Sequence, residues 1–292
     1  MSAPHDVRVP AADGTELVAH VTGAGEPLVC VPGGPMQASA YLGDLGGLAA
    51  RRPLLLLDLR GTGGSPAPAD PAAYRCDRQV DDLEALRRHL RVDRLDLLAH
   101  SAGAAVAVLY AARHPERVRS LVLVTPSPRV VGIEVADADR RAVAERRRGA
   151  PWFPAAWAGF ERIWSGAATA EDVAAITPFL HGRWDDERRA LLPVLDAGRD
   201  GAAAAAYYPD DLDPQGTRTA LAALHAPVLV VAGELDVALP PDRAADYAAL
   251  VPQASLAVQP GAGHYPWLDD PAAFVAAVGG FLDAHGSPAG PR

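Results

Sequence analysis

The stretch that most constrains this chain is residues 95–111, Leu-Asp-Leu-Leu-Ala-His-Ser-Ala-Gly-Ala-Ala-Val-Ala-Val-Leu-Tyr-Ala. A short apolar run stops at Ser101, and an Ala-rich segment with helical spacing follows at once. The pattern predicts a strand, a tight turn and a helix, with the turn lifting one hydroxyl clear of a sheet. A backbone strained in this way tolerates only small residues two positions either side of the serine. Here they are Ala99 and Gly103, so the motif is A-x-S-x-G. The helix after Ser101 aims its N-terminal N–H groups at the same place, where negative charge is stabilised. Taken alone, the same letters also describe a serine in an ordinary turn.

The rest of the chain decides the context. Continuous apolar runs at 27–31, 54–57, 121–124 and 227–232 read as strands buried on both faces of a sheet. A looser alternation over 7–22, around Asp13-Gly14, predicts an antiparallel hairpin. Residues 77–91 place Val80, Leu83, Leu86 and Leu90 on one helical face. Helices are also expected over 37–51 and 242–250, a last strand over 255–258, and an amphipathic helix over 271–285. Strands alternating with helices through short links predict an α/β fold, a mostly parallel doubly wound sheet. Ligands on such sheets bind at the carboxyl ends of the strands.

From 128 to 224 the buried strands vanish and the text turns helical, Ala- and Arg-rich and broken by prolines. The expectation is a helical cap (128–224) inserted after the sixth strand, over a core of 1–127 and 225–285. Residues 286–292 are expected to form a disordered tail. Four of the five tryptophans (Trp152, Trp157, Trp164 and Trp184) fall in the cap. Aromatic walls suit a concave apolar pocket, and they equally suit a small core inside the cap itself.

Bulk properties narrow the partners. A net charge of −9 argues against nucleic acid or an anionic membrane surface, both of which need clustered positive charge. The one basic cluster, Arg140-Arg141 with Arg146-Arg147-Arg148, is interleaved with acids and reads as a solvated helix face. Cys30 and Cys76 make no disulfide framework, and no histidine spacing suggests a metal. Residues 1–12 carry no basic segment leading an apolar one, and no apolar run reaches the ~18 residues a membrane helix needs. A soluble cytoplasmic protein without cofactor, acting on a small-molecule or short-peptide substrate, is the expectation; oligomeric state is unreadable.

Three side chains sit just past three expected strands in the order Ser101, Asp236, His264. A serine hydroxyl needs a base to take its proton, and the base needs a carboxylate to hold its tautomer. With that order the sequence resembles the α/β-hydrolase family nearly end to end. G-E-L-D at 233–236 is similar to its acid loop, G-A-G-H at 261–264 to its histidine loop, D-L-R-G-T-G-G-S at 58–65 to its D-x-R-G-x-G-x-S element, and P-G-G-P at 32–35 to its oxyanion loop. The resemblance implies Ser101 as nucleophile, His264 as general base and Asp236 as its orienting carboxylate. It puts the two oxyanion donors at the N–H groups of Gly34 and Ala102, since neither Pro32 nor Pro35 has an N–H. Glu234 is a possible substitute for Asp236. His100 is expected to serve packing, and Asp58 and Arg60 to brace their loop. A serine at the elbow excludes relatives that attack with aspartate, such as haloalkane dehalogenases and epoxide hydrolases.

Within the family the sequence most resembles the proline iminopeptidases. Ala156-Trp157-Ala158-Gly159-Phe160-Glu161 is similar to their W-x-x-W-E segment. That resemblance implies Glu161 as anchor of a substrate amino group and Trp157 as a pocket wall. The chain departs from the pattern at Pro32, Ala99 and Met36, and the larger Met36 side chain is expected to reshape the acyl pocket. A carboxylesterase, thioesterase or lactone-processing enzyme with the same three residues is the alternative. A ligand-binding protein that keeps the scaffold without turnover is another.

Overall fold

The computed structural model describes residues 5–286; the expected tail, apart from Gly286, lies outside them. Strands β1 (His5–Pro10) and β2 (Glu16–Thr22) form the expected hairpin, closed by Asp13 Oδ1 accepting from Thr15 N–H at 3.0 Å and by Gly14 at φ +86°. Then come β3 (Leu28–Val31), β4 (Leu54–Leu57), α1 (Val80–Leu90), β5 (Leu95–His100), α2 (Gly103–Arg113) and β6 (Val118–Val124). Six α-helices lie between β6 and β7: α3 (Asp137–Glu145), α4 (Phe153–Trp164), α5 (Ala170–Ala175), α6 (Asp186–Asp196), α7 (Gly201–Ala206) and α8 (Pro214–Ala222). The chain ends through β7 (Val228–Gly233), α9 (Pro241–Ala248), β8 (Ala254–Gln259), α10 (Pro266–Asp269) and α11 (Pro271–His285).

One eight-stranded sheet runs β1-β2-β4-β3-β5-β6-β7-β8, parallel from β4 to β8 and antiparallel at β1/β2 and β2/β4. Alternate residues of the central strands feed two cores. Val29, Leu55, Leu97 and Leu121 pack on the α1/α2 side, while Cys30, Leu56, Leu98 and Val122 pack towards α11. Burial on both faces is why these strands read as unbroken apolar runs. The chain crosses from β4 back over β3 to β5, so the strand order reverses at β3, beside the end that carries Ser101. Crevices at such reversals are where α/β sheets bind ligands.

The helix expected over 37–51 is not there. Its place is taken by two 3-10 turns, Ser39–Leu42 and Leu48–Ala50, separated by Gly43, Leu45, Gly46 and Gly47, all at positive φ. Left-handed residues break an α-helix, and a Cβ on Gly46 would lie 2.7 Å from the Trp267 carbonyl.

The segment between β6 and β7 divides by packing. Val143, Phe153, Phe160 and Phe179 form a small core of their own, with Trp152, Trp157 and Trp164 against it. Val130, Val131, Ala203, Tyr207 and Leu221, by contrast, join the core of the sheet. Three of the four tryptophans therefore stabilise this helical unit from within, and Trp184 stacks on His181.

Candidate active site

Ser101 follows β5 at φ +50°, a left-handed value that non-glycine residues adopt only under constraint. The constraint comes from both neighbours. Ser101 N–H donates to Val124 O at 3.0 Å, and its carbonyl accepts from Ser127 N–H at 2.9 Å. Gly103 lies so close to the end of β3 that a Cβ would collide with Pro32 O. A Cβ on Gly33 would stand 2.9 Å from the Ser101 Cβ. Ala99 is fully buried on β5, paired with Val31 of β3 on one side and Leu123 of β6 on the other.

The loops after β7 and β8 bring the other two groups to the same place. His264 Nε2 lies 2.9 Å from Ser101 Oγ, and its Nδ1 lies 2.9 Å from Asp236 Oδ2. Because Nδ1 faces a carboxylate it carries the proton, which leaves Nε2 free to accept the serine hydroxyl. Asp236 is inaccessible to solvent and its other oxygen accepts from Ala238 N–H at 2.8 Å, so the carboxylate has one orientation. Glu234 points elsewhere: it accepts from Gly261 N–H at 2.8 Å and ties the acid loop to the histidine loop.

Beneath this line runs a second one. His100 is buried, with Nε2 3.0 Å from the His264 carbonyl and Nδ1 2.7 Å from the Tyr41 hydroxyl. A carbonyl only accepts, so Nε2 is the protonated nitrogen; Tyr41 then donates to Nδ1 and accepts from Gly33 N–H at 2.7 Å. Burial holds the imidazole well below its ordinary range, which keeps it neutral. Packing was expected of His100; its tie from the Gly33 loop to the His264 loop was not, and Tyr41 carries no sequence signal for it.

Arg147 corrects the expectation of a solvated basic face. It is buried and donates to Phe179 O (3.0 Å), His181 O (2.8 Å) and Leu235 O (2.9 Å), joining the helical unit to the acid loop with no carboxylate partner among the described residues. Burial lowers it to about 10. Counted from Arg140, the buried Val143, Ala144 and Arg147 fall at i+3, i+4 and i+7, one side of a helical repeat that the turn after α3 continues, a signal hidden by the interleaved acids.

Two clefts open on Ser101. One, of about 500 Å3, includes Gly34, Ala102, Ser127, Arg129, Arg199 and Tyr208; the other, of about 360 Å3, includes Ile133, Val135, Arg140, Leu239 and His264. Among the described residues the N–H groups of Gly34 and Ala102 have no hydrogen-bond acceptor, and Ala102 immediately precedes α2. Neither Glu161 nor Trp157 lines either cleft. Glu161 is on the outer side of α4, 53% exposed and 3.4 Å from Arg141, and Trp157 stacks on Phe153. Met36, expected to reshape the pocket, is instead buried in the sheet's core at φ +56°, its Sδ accepting from Gln79 Nε2 at 3.5 Å.

Residues 26–271 match the family model for the alpha/beta hydrolase fold. The chain belongs to the α/β-hydrolase family. It is 26% identical over 275 residues to a proline iminopeptidase of Heyndrickxia coagulans, covering 90% of this chain and 92% of the relative. It is 30% identical over 281 residues to a 2-hydroxymuconate semialdehyde hydrolase of Pseudomonas sp. strain CF600, covering 93% and 92%. Its structure is also similar to that of a thermophilic esterase from Thermogutta terrifontis, with TM-score 0.68, 26% identity and coverage of 96% and 98%. In this α/β hydrolase Asp58 and Arg60 are braces: Asp58 accepts from Ser39 and Gly64 N–H, both at 2.8 Å, and Arg60 grips Asp82 through two 2.6 Å bonds. No group of three or more metal-binding side chains is present among the described residues, and no helix among them is long and apolar enough to cross a membrane.

Proposed function

We propose that this α/β hydrolase cleaves an ester or amide bond through an acyl-enzyme on Ser101. The observation that carries the reading is the unbroken line Asp236–His264–Ser101, with both links at 2.9 Å, beside two unpaired N–H groups. Ser101 Oγ attacks the substrate carbonyl carbon as its proton passes to His264 Nε2. The N–H groups of Gly34 and Ala102 hold the resulting oxyanion, a role in which each donor contributes on the order of 3 kcal/mol to the transition state. Protonated His264, steadied by Asp236, gives the proton to the leaving group; the same base then activates water to release the acid. The helical unit after β6 serves as a cap over this site.

A second reading, an esterase, thioesterase or lactone hydrolase rather than an aminopeptidase, is favoured by one observation. The carboxylate that an amine-bearing substrate needs is absent from both clefts, Glu161 being elsewhere. Labelling with a fluorophosphonate at neutral pH tests the mechanism. An adduct on Ser101, lost in Ser101→Ala, is expected; no adduct would favour a non-catalytic binder on the same scaffold. Comparing p-nitrophenyl acetate with proline p-nitroanilide separates the two substrate readings.

A further inference from the structure

The chain carries 36 acidic residues against 27 basic ones, yet no Asp or Glu lines either cleft at Ser101. Three arginines do: Arg129 and Arg199 in the larger cleft, Arg129 and Arg140 in the smaller. Elsewhere arginines are mostly paired, as Arg60 is with Asp13 and Asp82, and Arg75 with Asp77 and Asp211. Among the described residues, no carboxylate oxygen lies within 4.0 Å of the Arg129, Arg140 or Arg199 guanidinium. Arg129 is steadied instead by the Tyr208 ring, 4.9 Å below its guanidinium carbon, and the Tyr208 hydroxyl donates to Ser127 Oγ at 2.8 Å. Arg140 gives Nη1 to Val237 O at 2.9 Å. Arg129 comes from the loop after β6 and Arg199 from the turn before α7, so two separate segments bring unpaired forks to one cavity with the nucleophile.

We propose that the cleft between Arg129 and Arg199 binds a carboxylate on the substrate, so that the enzyme acts on anionic esters or lactones. This rests on the hydrolase reading above and deepens it. A planar guanidinium donates two parallel N–H bonds to a carboxylate, and an acid-free cleft repels nothing on such a ligand. A protonated amine entering the same cleft meets only like charge.

The test uses matched pairs. p-Nitrophenyl hydrogen glutarate against p-nitrophenyl valerate places the charge on the acyl side, and 4-acetoxybenzoate against phenyl acetate places it on the leaving group. In one pair at least, the anionic member is expected to show a kcat/KM about tenfold higher. That ratio should collapse towards one in Arg129→Gln or Arg199→Gln, chiefly through KM. The second measurement needs no turnover: calorimetric titration of the Ser101→Ala protein with monomethyl glutarate and with dimethyl glutarate. Tighter binding of the monoester, lost on adding Arg129→Gln and Arg199→Gln, supports the site. Equal affinities, or binding of neither, overturn it. Absence of a fluorophosphonate adduct on the wild type overturns the hydrolase reading instead and leaves the titration to decide this one.

Discussion

The imidazole of His100 donates from Nε2 to the main-chain carbonyl of His264 at 3.0 Å, so the residue before Ser101 holds the backbone of the histidine that faces it. Thr125 Oγ1 donates to the same carbonyl at 3.0 Å, and the His264 N–H goes to Leu180 O at 2.7 Å. Both polar groups of that peptide are thus fixed, one from the sheet and one from the helical unit.

Removing the Tyr41 hydroxyl should expose how much that support matters. Tyr41→Phe leaves the Gly33 N–H and His100 Nδ1 without partners in a dry interior, at about 1–3 kcal/mol for each unsatisfied group. Unfolding in urea should show the loss, and kcat should fall with little change in KM. Unchanged kcat in a destabilised variant would reduce the link to a structural one.

Arg147→Met takes a buried cation from several backbone carbonyls at once and should lower the unfolding free energy by about 3 kcal/mol. Arg147→Lys keeps the charge but cannot span carbonyls on two loops, so its stability should fall between the two. Calorimetric melting of the three proteins gives the order; a lysine variant as unstable as methionine would rule out the charge as a contributor.

Acid should weaken the fold by charging, in the unfolded chain, imidazoles that the folded chain keeps neutral. His181 is buried with Nδ1 unpartnered, and burial pushes it down from the ordinary 6.5 to about 3. Below pH 6.5 the unfolded chain takes up a proton here that the folded chain refuses until about 3. Stability therefore falls as pH drops through that window, by at most about 1.4 kcal/mol per pH unit for each such histidine. His100, also held neutral by burial, adds to the slope. Unfolding free energies of His181→Gln measured across the same range should decline less steeply than those of the wild type; parallel curves would sink the assignment.

Glu161→Gln should leave turnover of both p-nitrophenyl acetate and proline p-nitroanilide within about twofold of wild type, as befits an exposed side chain outside both clefts. A selective loss on the amine-bearing substrate would restore the anchor implied by the W-x-x-W-E resemblance.

What the amino-acid sequence determined is local. Apolar runs such as 54–57 and 121–124 have one low-energy use, as strands covered on both faces, and the small residues Ala99 and Gly103 around Ser101 answer a steric demand within a few residues of it. The order of Ser101, Asp236 and His264, just past the ends of β5, β7 and β8, was legible for the same reason, because a parallel sheet gathers those ends on one edge. Tertiary structure alone decided what depends on contacts between distant segments. It turned Arg147 inward, sent Met36 into the core, left Glu161 in solvent and joined Tyr41 to His264 through His100. Which face of a helix is covered, and which guanidinium meets a carboxylate, is set by packing partners dozens of residues away, and no local pattern encodes their arrival.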